Sequence, residues 1–256
     1  MLSFAYLRTK RVAVRLRELR LGEAIAICKL PADRLELTVS EFLRHVADGA
    51  ERPTDRHITD PRLWTAAERT RVVCHYLSHT SDSGMDFEVG DGARLSHYVE
   101  LAQDLPSEVV KLGRVGGSDV SMWPLLGAHA EVLERLCKTR GDWMIGLMAC
   151  QVGSDPLPDL TTMSELAALQ AVSDRLDAVR AMPESAFEEL VAAYAHGQTA
   201  LQHFFVLGHD NLGLVCLPRD HPDGAEEKWK EGGGLRHPAR FPALSCVSAT
   251  TRTLFG

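Results

Sequence analysis

Cys216, His221, His237 and Cys246 supply thiolate and imidazole, the donor types that suit a tetrahedral zinc site. Four, fifteen and eight residues separate successive members, which matches no standard zinc-finger spacing. No metal is therefore expected. If zinc were to staple a loop-rich tail, it would use these four. His75 and His79 stand at i and i+4, which puts two imidazoles on one helix face. Tyr76 occupies the place where H-E-x-x-H zincins carry their general base, so the pair reads as half-buried helix histidines. Ser118, Asp119 and His129 have the residue types of a nucleophile, an acid and a base, but no strained-turn motif surrounds the serine. The phosphate-binding loop, the G-x-G-x-x-G dinucleotide turn, the G-x-S-x-G elbow and the P-C-x-x-C deaminase signature are all missing. No catalytic residue and no cofactor are expected, and the chain reads as non-enzymatic.

The elements that must position these residues follow from periodicity and capping. Val12, Val14 and Leu16 alternate, which predicts a strand with one buried face. Gly22 breaks it, and a short helix is expected over 23–30, stopped by Pro31. Thr38 to Glu41 reads as a capping box opening a helix to about Val46, and Thr65 to Glu68 as a second one, with Val72, Val73, Tyr76 and Leu77 at helical spacing behind it. Residues 86–89 suggest a strand turning at Gly90-Asp91-Gly92. Residues 126–136 and 143–152 read as helices. Pro156 and Pro158 mark a linker. Thr162 to Glu165 caps what is expected to be the longest helix, with Leu166, Leu169, Val172, Leu176 and Val179 on one face and Pro183 as its stop. A further helix carries Phe187, Leu190, Val191 and Tyr194, with a third short one expected after Gly197.

The fold expected is α+β and mostly helical: short N-terminal strands and hairpins, a helical central and C-terminal part, and an irregular C-terminal arm. The divisions are an N-terminal α+β domain over 1–155, a helical hairpin over 156–207 and the arm over 208–256. Of the 256 residues 45% are hydrophobic and 25% charged, which excludes collagen-like, coiled-coil and wholly disordered classes. No run approaches the ~20 apolar residues of a membrane span. The net charge of −7 argues against nonspecific duplex binding, and no specific nucleic acid is expected. The six dispersed cysteines read as reduced thiols in a cytosolic setting, mostly buried. Residues 1–20 hold six bases and one acid, a balance shared by Arg-rich transit peptides and by a basic first strand; the strand is expected.

The arm carries Phe241, Leu244, Val247, Leu254 and Phe255, too apolar for a solvated tail. These five are the expected interface residues. Pro238 and Pro242 pre-extend the chain, which lowers the entropy lost on docking. The alternative is that the arm folds onto its own core.

Val12-x-Val14 followed by Arg17-Glu18-Leu19-Arg20-Leu21-Gly22-Glu23 resembles the basic strand and "V-R-E-L-x-x-G-E" turn of tailed-bacteriophage tail-assembly and baseplate-associated proteins. The run Trp143-Met144-Ile145-Gly146-Leu147-Met148-Ala149-Cys150-Gln151 is similar to helices in such tail proteins. The resemblance implies a structural or assembly component of a tail or baseplate. It also implies other tail and baseplate proteins as partners, self-association in a symmetric assembly, and a location in the virion tail or in the host cytoplasm during assembly. A soluble bacterial adaptor or regulatory protein, or a metal-dependent enzyme using the His and Cys groups, are the alternatives.

Overall fold

In the computed structural model, which describes residues 3–49, 57–81, 84–90, 92–219 and 237–256, the alternation at the N-terminus becomes a strand. β1 (Leu7–Arg8) and β2 (Ala13–Leu16) pair antiparallel; α1 (Leu21–Cys28) and α2 (Leu35–Val46) follow, and β3 (Ala47–Asp48) returns to the other edge of β2. Next come α3 (Ala66–Thr80), the hairpin of β4 (Glu88–Gly90) and β5 (Ala93–Arg94), and the two-residue strand β6 (Val99–Glu100). β7 (Val110–Val115) and β8 (Ser118–Met122) form a second hairpin, followed by α4 (Gly127–Leu136), α5 (Arg140–Gln151) and β9 (Val152–Gly153), which pairs with β8. α6 (Glu165–Arg180) and α7 (Glu184–Leu201) lead into β10 (Phe204–Asp210) and β11 (Gly213–Leu217), and α8 (Ala249–Phe255) ends the chain. The fold is the expected mostly helical α+β class.

α3 begins where the sequence indicates, whereas α5 begins at Arg140, three residues before the start expected, behind a box of Thr139 and Asp142. Thr65 Oγ1 accepts from the Glu68 N–H at 3.1 Å and the Glu68 carboxylate accepts from the Thr65 N–H at 2.7 Å, the reciprocal box expected for α3. α2 departs from expectation. It starts three residues before Thr38, whose hydroxyl instead donates back to the Arg34 carbonyl at 2.6 Å. Its first N–H groups are satisfied across the molecule by Glu134 of α4, which accepts from Glu36 N–H at 2.7 Å and Leu37 N–H at 3.1 Å. The N-cap of α6 is Ser164, and Leu166 is 77% exposed rather than on the buried stripe, which runs through Ala168, Val172, Leu176 and Val179.

The longest helix is α7, with 18 residues against 16 for α6. Gly197 does not end it. A Cβ at Gly197 would lie 2.3 Å from the Met122 sulfur and 3.0 Å from Leu112 Cδ2, so this glycine lets α7 lie close against the β7–β8 hairpin. A strand, not a third helix, follows.

Two hydrophobic cores form, and they cut across the expected domain boundaries. The first joins side chains from residues 4–98 with others from 204–247, including Phe42, Trp64, Tyr76, Phe205 and Phe241. The second is built mainly from residues 105–201, around Met122, Leu133, Trp143, Met148 and Val172. Among the described residues the C-terminal region is thus not an irregular arm standing apart. It opens as the β10–β11 hairpin, fills the first core, and ends as a helix packed on α1. Leu207 of β10 packs against both cores.

Candidate functional site

The residues expected to do chemistry are dispersed by the fold. Cys216 and Cys246 are buried in the first core, and burial pushes both thiols well above their usual range. The His237 carbonyl accepts from the Tyr98 hydroxyl at 2.7 Å, and His221 lies outside the described residues. Among the described residues no group of three His, Cys, Asp or Glu side chains is placed to hold a metal ion. His75 and His79 share a face of α3 and clamp the N-terminal segment. His75 Nε2 donates to the Ala5 carbonyl at 2.7 Å, and His79 Nε2 accepts from the Ala5 N–H at 3.3 Å. Ser118 and Asp119 are exposed on β8, whereas His129 is buried and accepts from the Leu126 N–H at the start of α4. These three residues do not form a triad.

The five expected interface residues divide. Phe241 sits among Phe87, Tyr98 and Phe205 at ring-centroid distances of 5.8–6.2 Å, and Val247 is buried beside it in the same core. Leu244, Leu254 and Phe255 remain exposed. Leu254 and Phe255 lie on α8, which packs on α1, and α1 exposes Leu21; the three are 68%, 43% and 64% exposed. The turn before α1 is fixed by an ion pair that no helix propensity would require. Arg17 donates twice to Glu23, at 2.7 and 2.9 Å, while Glu23 also accepts from the Arg20 N–H at 2.9 Å. The Arg17 guanidinium holds the Glu23 carboxyl down at about 2.

A cleft of about 980 Å³ lies between α5, α7 and the β10–β11 hairpin. Thr65 and His203 both line it, 138 residues apart in sequence, and they meet at 2.7 Å. His203 Nδ1 faces the Leu201 carbonyl at 2.9 Å, which fixes the proton on Nδ1, so Nε2 accepts from the Thr65 hydroxyl. Burial pushes the His203 pKa below its ordinary value and keeps the ring neutral. A hydroxyl bonded to a neutral imidazole is half of a nucleophile–base pair. Here the hydroxyl also caps α3 and the threonine is 1% exposed, so the pair holds the floor of the cleft together. Thr65→Val should cost about 1–3 kcal/mol, because it removes a cap and leaves a buried ring nitrogen without a donor. Thr65→Ser should recover most of that in thermal denaturation.

Directly after His203 the chain makes a γ-turn, with the Phe205 N–H donating to the His203 carbonyl across Phe204 at φ +53°. Such a turn at a bulky residue is strained by roughly 1–3 kcal/mol. Burial of the Phe204 ring and the Arg71 guanidinium 5.0 Å from its centroid hold it in place. On the α5–α7 wall, Gln151 Oε1 accepts from the Tyr194 hydroxyl at 3.2 Å and from Gln198 Nε2 at 3.1 Å. Gln151 is itself anchored by donating to the Trp123 carbonyl at 3.1 Å. These polar groups are neutral, and Arg140 at the start of α5 adds a cation to the cleft lining.

Nothing in the sequence marked the cleft. The pairs that close it, Thr65 with His203 and Gln151 with Tyr194 and Gln198, join residues 43 to 138 positions apart, and the positive φ of Phe204 falls on a residue type that carries no turn signal. Comparisons with protein-family models, with curated proteins and with solved structures return no match for this chain.

Proposed function

We propose that this chain is a non-enzymatic structural or assembly component of a bacteriophage tail or baseplate that acts through protein–protein interfaces. The observation that carries the reading is the α1–α8 pair. The segment that resembles tail-assembly proteins forms a strand, an ion-paired turn and a helix, and the C-terminal helix packs on it. Together they expose Leu21, Leu254 and Phe255. Exposed leucine and phenylalanine on two packed helices suit burial against a neighbour. Covering Leu254 and Phe255 would contribute on the order of 3–6 kcal/mol before ordering costs.

The test is Leu254→Asp combined with Phe255→Asp. Both side chains are exposed, so the monomer's thermal midpoint should fall by no more than about 4 °C. Co-elution with tail proteins expressed alongside should be lost. Intact co-elution would remove the pair as a docking surface, and a large loss of monomer stability would make it part of the chain's own core.

A further inference from the structure

The hydrogen bonds of His75 and His79 fix which ring nitrogens carry protons. His79 Nδ1 lies 2.8 Å from the His75 carbonyl, which only accepts, so Nδ1 carries the hydrogen. His79 Nε2 is then the bare nitrogen of a neutral ring, and it takes the Ala5 N–H at 3.3 Å. His75 Nε2 faces the Ala5 carbonyl at 2.7 Å and is therefore a donor. Both backbone groups of Ala5 are thus held by two imidazoles whose centroids are 4.5 Å apart. Ser3, Ala5 and Tyr6 are exposed. Phe4 is the buried member of this segment, stacked on Tyr76 at 4.8 Å and tilted against His79 at 5.5 Å. Strand pairing begins at Leu7, against Val14. Residues 3–6 therefore form a strap across α3, tied by one aromatic ring and two imidazole bonds.

We propose that this strap is an acid-released latch: protonation of His79 removes the acceptor that holds the Ala5 amide, and residues 3–6 lift from α3. The protonated ring sets N–H against N–H, and no rotation restores the bond, because an imidazolium has two donors and no acceptor. A charge on His79 also repels any charge on the neighbouring His75. Burial lowers the His75 pKa; the bond to the Ala5 carbonyl opposes this, and the His79 and Arg71 charges add to it. The closed latch therefore binds fewer protons than the open one, and closure weakens as pH falls below about 6.5. The other groups around the pair do not cancel this. Arg71, one turn before His75 on α3, stays a cation on acidification. Arg17 and Glu18 from the turn before α1 and Cys246 from the 3₁₀ turn Ala243–Cys246 act on Tyr76. Burial raises both Tyr76 and Cys246, so neither loses a proton in this range. Lifting the strap uncovers Phe4 and the face of Tyr76 on which it stacks. The Tyr76 hydroxyl accepts the Leu19 N–H at 3.1 Å, so the uncovered surface adjoins the turn before α1. The latch does not depend on what the α1–α8 face binds.

The test is amide hydrogen exchange of the full chain read by NMR, each rate compared with that of an unstructured peptide at the same pH to give a protection factor. Between about pH 7.5 and about pH 5 the Ala5 protection factor should fall by about tenfold or more. That of Val72, fully buried within α3, should stay within about twofold. A glutamine amide can accept or donate and does not titrate, so the double variant His75→Gln, His79→Gln should lose the pH dependence at Ala5. His79→Phe keeps a ring against Phe4 but offers no acceptor, so Ala5 should be weakly protected at both pH values. Four results would overturn the proposal. The first is wild-type Ala5 protection unchanged down to pH 5. The second is a fall that persists in the double variant, which would place the sensing group elsewhere. The third is Val72 protection falling together with Ala5, which would make the event acid unfolding of the core. The fourth is full Ala5 protection in His79→Phe, which would mean that the imidazole bond does not hold the strap.

Discussion

Arg69→Ala should cost about 3–5 kcal/mol in urea denaturation at neutral pH, one of the two largest single-site effects expected in this molecule. Arg69 is 1% exposed in the middle of the α2–α3–α4 contact. Its Nη2 donates to the Glu36 carbonyl at 2.7 Å and to Ser40 Oγ at 2.8 Å, and Nη1 lies 3.5 Å from the Glu36 carboxylate. Ser40 in turn donates to Glu131, whose pKa burial raises and the nearby Arg69 charge lowers. Deleting the guanidinium leaves two carboxylates without their buried cation and opens a space that the surrounding helices cannot fill. Gly127 exists to admit this side chain, since a Cβ there would fall 2.1 Å from Arg69 Nη1. Arg69→Lys should restore only part of the loss, because an ammonium cannot reach Ser40 and Glu36 in one plane. A cost under about 1 kcal/mol for Arg69→Ala would mean that the network is solvated.

The second large effect is hidden in the wild type and appears when one of two opposed groups is removed. Burial holds His129 down at about 4, and burial raises Glu134 to about 7. For His129 the folded pKa lies below the unfolded one, so the unfolded chain binds more protons and stability falls as pH drops from about 6.5 towards 4. For Glu134 the folded pKa lies above the unfolded one, so stability rises as pH drops from about 7 towards 4.5. Each shift corresponds to as much as about 3 kcal/mol. The two nearly cancel over the shared window. Glu134→Gln should therefore become distinctly acid-labile between pH 6.5 and 4.5 relative to wild type. His129→Gln should become more stable on acidification over the same range. Urea midpoints at half-unit pH steps check both, and parallel curves for wild type and the two variants would refute the assignment.

The helices that were legible are those whose signals lie within one turn of their own ends. Thr65 and Glu68 face each other across three residues, and α3 begins at that box. α6 is also capped locally, though at Ser164 and not at Thr162, and the β4–β5 hairpin forms about the glycines expected to turn it. The start of α2 was misread because its cap, Glu134, comes from about a hundred residues away, and Thr38 presented a local box that the tertiary contact overrode. β10 was obscured because Gly197 looked like a helix stop, when it is a close-approach glycine against Met122. β7 and β8 gave no clean alternation because most of their residues stay at least partly exposed, and without a buried face period two does not appear. The interface residues were half legible: an apolar side chain signals burial, but whether its own core or a neighbour supplies the cover depends on how the chain folds back.

The proposed place of this chain in a phage tail is open to a direct test. If the proposal holds, deleting the coding sequence from its genome and examining the particles by electron microscopy reads it most directly. Filled heads without complete tails are the expected result, rescued by the wild-type chain and not by the Leu254→Asp, Phe255→Asp variant. Normal numbers of complete, infective tails in its absence would exclude a tail role.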